Sequence, residues 1–441
     1  MRLRPCVILK IIVAGVVVWP SFLHAEGPGP AGAAALPGVA DAQWDLAFTR
    51  TDGWTGADAA GTIDLGDGRT LWLFGDTWIG KVVQGGHAPG SHMVNNSIAL
   101  QDADSAPSKG TVPFSLRSRT IATRKLGQSP KAGEPPAASE MHFHWGAGDA
   151  RDRPTAWIAP DSASMPAGGK TSDPEHPLGW YWATGGGALV PGPGGEPRAI
   201  VFLFHVGKAE GKTGVWAFKS LGSALATIDG LDRPVDRWQV RQYQIPATGP
   251  GADGQRKETH WGMAACRPAA EPGTVYIYGT RDQSPLNRQL LLARVAADAV
   301  PQFDAWRFYA GHGKWSNRAN EAVAVAENLV SELSVEEYAD RGKAVFIMVH
   351  SEPIFGPRVM VRTAARPEGP WTQPLPVYVV PELQRNRLYF TYAAKGHLSL
   401  SRPGELLITY LVNAHDFGAA ARDAAIYRPR FIRVPLARIL P

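Results

Sequence analysis

Leu71-Trp72-Leu73-Phe74 is the first of five short apolar runs whose reading decides the fold. The others are Val201-Phe202-Leu203-Phe204, Val275-Tyr276-Ile277-Tyr278, Val345-Phe346-Ile347-Met348 and Leu406-Leu407-Ile408-Thr409-Tyr410. Short apolar runs bounded by Gly, Pro and Asp turns read as strands covered on both faces, not as helices. The last four are spaced about 60 to 75 residues apart, which suggests a repeated supersecondary unit. The first interval is longer and holds a polar, Pro-rich stretch from Gln128 to Asp173 that reads as an insertion.

Each run has companions on both sides. Before it comes a segment of small residues carrying one polar group: Asp58-Ala59-Ala60-Gly61, Thr184-Gly185-Gly186-Gly187-Ala188, His260-Trp261-Gly262-Met263-Ala264, Ser331-Glu332-Leu333-Ser334 and Lys395-Gly396-His397-Leu398. After it comes an alternating segment: Ser97-Ile98-Ala99-Leu100, Val215-Trp216-Ala217-Phe218, Leu290-Leu291-Leu292-Ala293, Val359-Met360-Val361-Arg362 and Phe431-Ile432-Arg433-Val434. Strands converging on a central channel need small side chains and can show polar ones to water. Second strands are sandwiched between neighbours, and outer strands are half exposed. The order therefore predicts an all-β, five-bladed β-propeller in a single domain, with a β-sandwich as the alternative. Asn320 to Tyr338, rich in Ala, Glu and Val, could be helical, although alternation at Leu333 and Val335 favours a strand in its second half.

The first 25 residues read as an N-terminal signal peptide, with Arg2, Arg4 and Lys10 before the apolar Ile11 to Trp19 and a small residue, Ala25, at the end. The apolar stretch is shorter than the roughly 20 residues a membrane-spanning helix needs. Secretion or periplasmic export is expected, with no stable membrane insertion after cleavage. Residues 26–42 form an Ala/Gly/Pro tether, and the propeller is expected over 43–441. Without the signal, 42 Lys and Arg face 40 Asp and Glu, and the formal charge falls from +5 to +2. That balance argues against nucleic acid as a partner. Cys266 is then the single cysteine, expected as a buried inert thiol. The chain is expected to act as a monomer.

Two stretches carry a resemblance. Thr51-Asp52-Gly53-Trp54-Thr55-Gly56-Ala57-Asp58 and Gly68-Arg69-Thr70-Leu71-Trp72-Leu73-Phe74-Gly75-Asp76-Thr77-Trp78 resemble the opening of a bacterial family of secreted propellers. That family is catalogued as a domain of unknown function and is related to the endo-D-arabinanases. The likeness continues at Asn96-Ser97, Trp180-Tyr181-Trp182 and Trp261-Gly262, and ends at Tyr392-Ala393-Ala394-Lys395-Gly396-His397 and Tyr427-Arg428-Pro429-Arg430-Phe431. Gly369-Pro370-Trp371 is similar to a turn of arabinanase and xylosidase propellers. The resemblance implies a five-bladed ring with a glycan site at one mouth of its channel. Where the family tends to carry Pro-Gly-Asp-Gly, this chain has Thr184-Gly185-Gly186-Gly187, which removes a carboxylate or shifts its work to another acid such as Asp149.

Glycosidic hydrolysis usually employs two carboxyl groups, one protonated to donate to the leaving oxygen and one to activate water or attack carbon. Glu332 is expected as the acid because its apolar neighbours would favour the protonated form, Asp58 as the base, and Asp76 or Asp52 as orienting groups. His260, His397, Lys395 and Asn96 are candidate sugar ligands. Trp54, Trp78 and Trp261, with Trp145 and Trp182, are candidate stacking faces. Each has a structural counterpart: Asp in a tight turn caps its own backbone, histidine sits satisfied in a core, and tryptophan packs between blades. No metal or cofactor motif is present, although an axial calcium or other ion is conceivable in such a channel. His142-Phe143-His144 lacks a third ligand at suitable spacing. Gly207 to Thr213 looks like a phosphate loop but has no following helix, so it reads as a hairpin. The sequence thus points to a secreted glycoside hydrolase acting on a carbohydrate, arabinan-like furanosides favoured, with a non-catalytic carbohydrate-binding propeller as the alternative.

Overall fold

In the computed structural model the described residues are 36–102, 141–149, 151–163, 171, 173–214, 216–246, 259–284, 287–340 and 342–441. The expected signal peptide and most of the proposed tether lie outside them, as does the first part of the proposed insertion. The described chain is all-β apart from two six-residue helices, Ala42–Ala47 and Phe417–Arg422, and short 3-10 turns.

Each apolar run becomes the second strand of an antiparallel sheet. The first sheet runs Gly61–Asp64, Thr70–Phe74, Ser97–Gln101, Met141–His144, and the second runs Trp180–Pro191, Pro197–Lys208, Phe218–Asp229, Gln239–Gln244. The third begins Thr259–Cys266, Thr274–Ser284, Asn287–Ala296 and continues with short strands, one of them Ala326–Leu329. The fourth runs Leu333–Asp340, Lys343–Ser351, Arg358–Ala364, Leu375–Val379. The fifth runs Tyr389–Gly396, Glu405–Ala414, Arg430–Pro435 and ends on Val39–Ala40, which comes from the other end of the chain. A further small sheet pairs Asp52–Ala57 with Thr77–Val83.

Burial follows the sheet order. Separate apolar clusters lie between the first and second sheets, second and third, third and fourth, fourth and fifth, and fifth and first. Every second strand therefore offers apolar side chains to a neighbour on each face, which is why these runs are continuous instead of alternating. The last interface is tied by polar groups too. His397 lies between Thr62 Oγ1 and Thr409 Oγ1, 2.8 Å from each, with its ring tilted against Trp72.

Several boundaries differ from the sequence reading. Order begins before Gln43: Val39 and Ala40 pair with Arg433 and Ile432, and Asp41 caps the first helix while pairing with Arg433. Within the proposed insertion, Met141–His144 is the outer strand of the first sheet, with Phe143 turned into the aromatic cluster around Trp54 and Phe48. Trp216 and Ala217 precede the third strand of the second sheet, which starts at Phe218, and Val215 lies outside the described residues. Asn320 to Tyr338 forms a 3-10 turn and two strands, not a helix. Asp58 and Glu332 stand just before inner strands rather than on them. Ala59 and Ala60 make that entry at φ 66° and 52°, a left-handed corner that separates Asp58 from the strand at Gly61.

Candidate functional site

A cavity of about 910 Å³ is lined by strand residues of the second, third and fifth sheets, by Met93 beside the small sheet, and by corners and loops that flank the first and fourth sheets. Asp58, Asp76 and Glu332 reach it together. The small sheet brings the first two side by side: Ala57 pairs with Thr77, and the Asp58 amide donates to the Asp76 carbonyl at 3.2 Å. Glu332 arrives from the entry to the fourth sheet.

The three acids differ in their partners. Asp58 Oδ2 accepts from the Tyr392 hydroxyl at 2.8 Å and the Tyr427 hydroxyl at 3.0 Å. Burial, then the nearby charges of Asp76 and Glu332, raise its pKa well above the usual carboxylate range, against the opposing pull of the two phenols. Asp76 Oδ1 accepts from the Trp182 indole at 2.7 Å and the Asn95 amide at 3.4 Å. Burial pushes its pKa up to about 7, again against those donors. Both donors of Asp76 go to Oδ1, which leaves Oδ2 as the oxygen to carry a proton. Glu332 Oε2 instead accepts from the Lys395 ammonium at 3.0 Å, and the same ammonium donates to the Ala59 carbonyl at 2.9 Å. Lys395 is only 1% exposed, so this cation is fixed beneath the floor of the cavity. The expectation that apolar neighbours hold Glu332 as the acid does not fit a carboxyl paired with a buried ammonium. Burial raises Asp58 and Asp76 toward the protonated form.

Much of the remaining wall is aromatic, with Lys219, Arg288 and Glu352 also on the lining. Trp180, Trp182, Phe204 and Phe218 line the cavity from the second sheet, and Phe390 and Tyr392 from the fifth. Trp182 stands edge-on to Phe218 with centroids 4.7 Å apart, which holds its indole toward Asp76. His260 also lines the cavity, edge-on to Phe204 at 4.5 Å.

Other sequence candidates fall elsewhere. Trp54 is 1% exposed inside the cluster of Phe48, Phe74 and Phe143. Trp78 stacks between His87 and Phe417, and Trp261 packs on Trp306 and Phe308. Their large apolar area fills interfaces between sheets. Trp145 packs against the first-corner cluster. Asn96 is fully buried and ties the loop at Ile158 to the carbonyl of Tyr181. Asp52 is exposed and accepts from the amide of Gly53. His397 is a core histidine, its pKa pushed down to about 3 by burial and by Lys395, so it stays neutral. Lys395 reaches the site through Glu332 and the Ala59 carbonyl.

Asp149 does not stand in for a missing acid. Arg153 engages it in a two-pronged ion pair and, as the largest cause, brings its pKa down to about 2, away from the cavity. The glycine run is explained by packing: a Cβ on Gly186 would lie 2.0 Å from the Gly262 carbonyl oxygen, and one on Gly187 would lie 2.4 Å from Ile63. No side chain fits where the second inner strand passes between its neighbours.

Sequence reasoning missed Asn95, Trp180, Phe218, Phe390 and Tyr427. Asn95 adjoins Asn96-Ser97, and Trp180 and Tyr427 lie inside stretches that were singled out, Trp180-Tyr181-Trp182 and Tyr427 to Phe431, but nothing in the pattern says which of two neighbours faces a site. Among the described residues no group of three or more His, Cys, Asp or Glu is placed to hold a metal ion. No described helix is long and apolar enough to cross a membrane. Cys266 is buried, and burial pushes its thiol pKa up, which leaves it inert.

A family profile described as "Domain of unknown function (DUF5005)" matches residues 41–435. No curated protein matches the sequence. A presumed hydrolase from Bacteroides ovatus ATCC 8483 shares the fold at a TM-score of 0.61 and 18% sequence identity, over 90% of each chain. A xylan β-1,4-xylosidase from Bacillus halodurans C-125 is similar at a TM-score of 0.40 and 10% identity, over 82% of this chain and 50% of that one. The catalytic domain of an α-L-arabinofuranosidase from Coprinopsis cinerea is similar at 0.37 and 10%, over 88% and 92%.

Proposed function

We propose that this chain, which belongs to the DUF5005 family, is an exported glycoside hydrolase built as a five-bladed propeller, acting as a monomer on a neutral, arabinan-like glycan. The observation that carries the reading is the meeting of Asp58, Asp76 and Glu332 on one cavity whose opposite wall is aromatic. Sugar rings present C–H faces that pack on such a wall, and hydrolysis needs carboxyl groups in unlike protonation states.

The environments assign the roles. Asp76, with its pKa near neutrality and a free Oδ2, donates a proton to the glycosidic oxygen as the C–O bond breaks. Glu332, held by Lys395, takes a proton from the water that adds its hydroxyl to the anomeric carbon. Glu332 then releases its proton to solvent and solvent returns one to Asp76, which restores both groups. Asp58, bonded to its two tyrosines, lies beside Asp76, and burial with the charges of Asp76 and Glu332 holds it toward the protonated form. The sequence reading has Glu332 as the acid, Asp58 as the base and Asp76 as an orienting group; here Asp76 is the acid and Glu332 the base.

The test is reducing-sugar release from arabinan, xylan, galactan and bacterial cell-wall glycans by wild type, Asp76→Asn and Glu332→Gln. Release from at least one polymer by wild type, falling about 10²-fold or more in each variant, is expected. Equal release by wild type and both variants would remove these carboxyls from the chemistry.

A further inference from the structure

The segment that imitates a phosphate loop in the sequence leads to the cavity mouth. It joins Pro197–Lys208 to Phe218–Asp229 of the second sheet as a hairpin, closed by the Ala209 amide on the Ala217 carbonyl at 3.0 Å. Beyond the sheet its residue Trp216 reaches the far side of the cavity. The Trp216 ring lies 5.5 Å from Phe355 of the fourth sheet's outer loop, and 5.8 Å from Phe390 and 6.2 Å from His415 of the fifth. Those three rings pack among themselves, Phe355 on Phe390 at 4.7 Å and Phe390 on His415 at 4.6 Å.

The topology gives this contact its meaning. The second sheet buries its apolar faces against the first and third sheets only. The fourth and fifth sheets lie across the cavity from it, so a hairpin that touches both must span the mouth. Trp216, Phe355 and Phe390 all line the same cavity as the acids, which therefore continues beneath the span. Trp216 nevertheless keeps 44% of its surface exposed, so it is not a core residue whose burial the fold requires. Phe355 is offered from a loop in which Ile354 and Phe355 both hold left-handed backbone, φ 60° and 55°, a conformation that bulky side chains adopt only when their surroundings impose it.

We infer that the hairpin, seated through Trp216 on Phe355, Phe390 and His415, bridges the cavity mouth and confines attack to glycan chain ends and side branches, which makes Trp216 the determinant of exo over endo action. The inference rests on the glycosidase reading above. A polymer crossing an open mouth could place any internal bond over the acids; a bridged mouth admits a terminus or a branch and blocks the crossing chain.

Two measurements test it with wild type, Trp216→Ala and Phe355→Ala, which remove the contact from opposite sides. The first follows viscosity against reducing ends during digestion of linear arabinan, xylan or galactan. Wild type should release short products with little early loss of viscosity, and each variant should lower viscosity several-fold more per bond cleaved. The second is affinity electrophoresis through the intact polymer or an equal mass of its acid digest, which multiplies chain ends and needs no turnover. Wild type should be retarded by the digest more than by the polymer, and the variants should lose that preference. Sugar release with the same product pattern in all three proteins overturns the bridge and leaves the hydrolase standing. Neither release nor retardation of wild type by any glycan sinks both.

Discussion

On the side of the first and fifth sheets the cavity is lined by Asp58, Asp76, Tyr392 and Tyr427; on the side of the second sheet it is lined by Trp180, Trp182, Phe204 and Phe218. Both sides grow from the same arrangement, an inner strand entered by a short corner. They diverge in what the corner allows. At the first sheet the small extra pair, Asp52–Ala57 with Thr77–Val83, sets two carboxyls side by side before the inner strand begins. In the second sheet the strands run on for 12 residues, and the excess length stands over the cavity as an aromatic wall. Chemistry is concentrated where the backbone turns sharply, and binding surface where it extends.

The sharpest way to break this comparison is to disturb the charge beneath the acidic side. Lys395→Met replaces a buried ammonium with an apolar chain of similar length and leaves Glu332 and the Ala59 carbonyl without their donor. Breaking a buried pair in this way costs about 3 kcal/mol. The urea midpoint should fall accordingly, and the double variant Lys395→Met/Glu332→Gln should recover most of the loss because no unpaired charge remains. A double variant no more stable than the single one would mean that Lys395 contributes by packing alone.

A smaller effect should appear in the pH dependence of stability. With Asp76 at about 7 in the folded chain against an ordinary aspartate value of 3.8, the folded state holds a proton that the unfolded state has released at intermediate pH. That contribution is complete below about pH 4 and is lost as pH rises through about 7. Asp58 is raised in the same direction. Asp76→Asn should therefore gain on wild type between pH 4.5 and pH 8, on the order of 2 kcal/mol in unfolding free energy by denaturant titration. Equal pH slopes in the two proteins would place Asp76 in contact with water.

How far these two sides were legible in the sequence follows from the same difference. The apolar runs announced the second strands, because burial on both faces leaves a continuous hydrophobic signature. Asp58, Asp76 and Glu332 were found because a lone acid beside small residues stands out. Their roles were not, because Lys395 lies 63 positions from Glu332 and Trp182 lies 106 from Asp76, and only the fold supplies those neighbours. The tryptophans were harder still. Trp54, Trp78, Trp180, Trp182 and Trp261 all sit close to Gly or aromatic neighbours, and indole serves a sheet interface and a sugar face equally well. Gly185 to Gly187 misled in the opposite way: the missing carboxylate reflects the close passage of the Gly262 backbone, a contact no local pattern reveals.

The mildest test joins the two sides at the hydrogen bond from Trp182 to Asp76. Trp182→Phe keeps an aromatic face beside Phe204 and Phe218 but removes the indole donor from Asp76 Oδ1. That donor favours the carboxylate, so its loss should carry the Asp76 pKa further upward. If Asp76 is the proton donor, the alkaline limb of the kcat profile, where the enzyme loses its acid, should move to higher pH by about half a unit. KM should change less than twofold at the pH optimum, since the stacking face remains. A structural role for Trp182 alone would lower both parameters at every pH and leave the limb where it was. The direction of the limb therefore reports whether the aromatic side merely holds the sugar or also sets the acid that cleaves it.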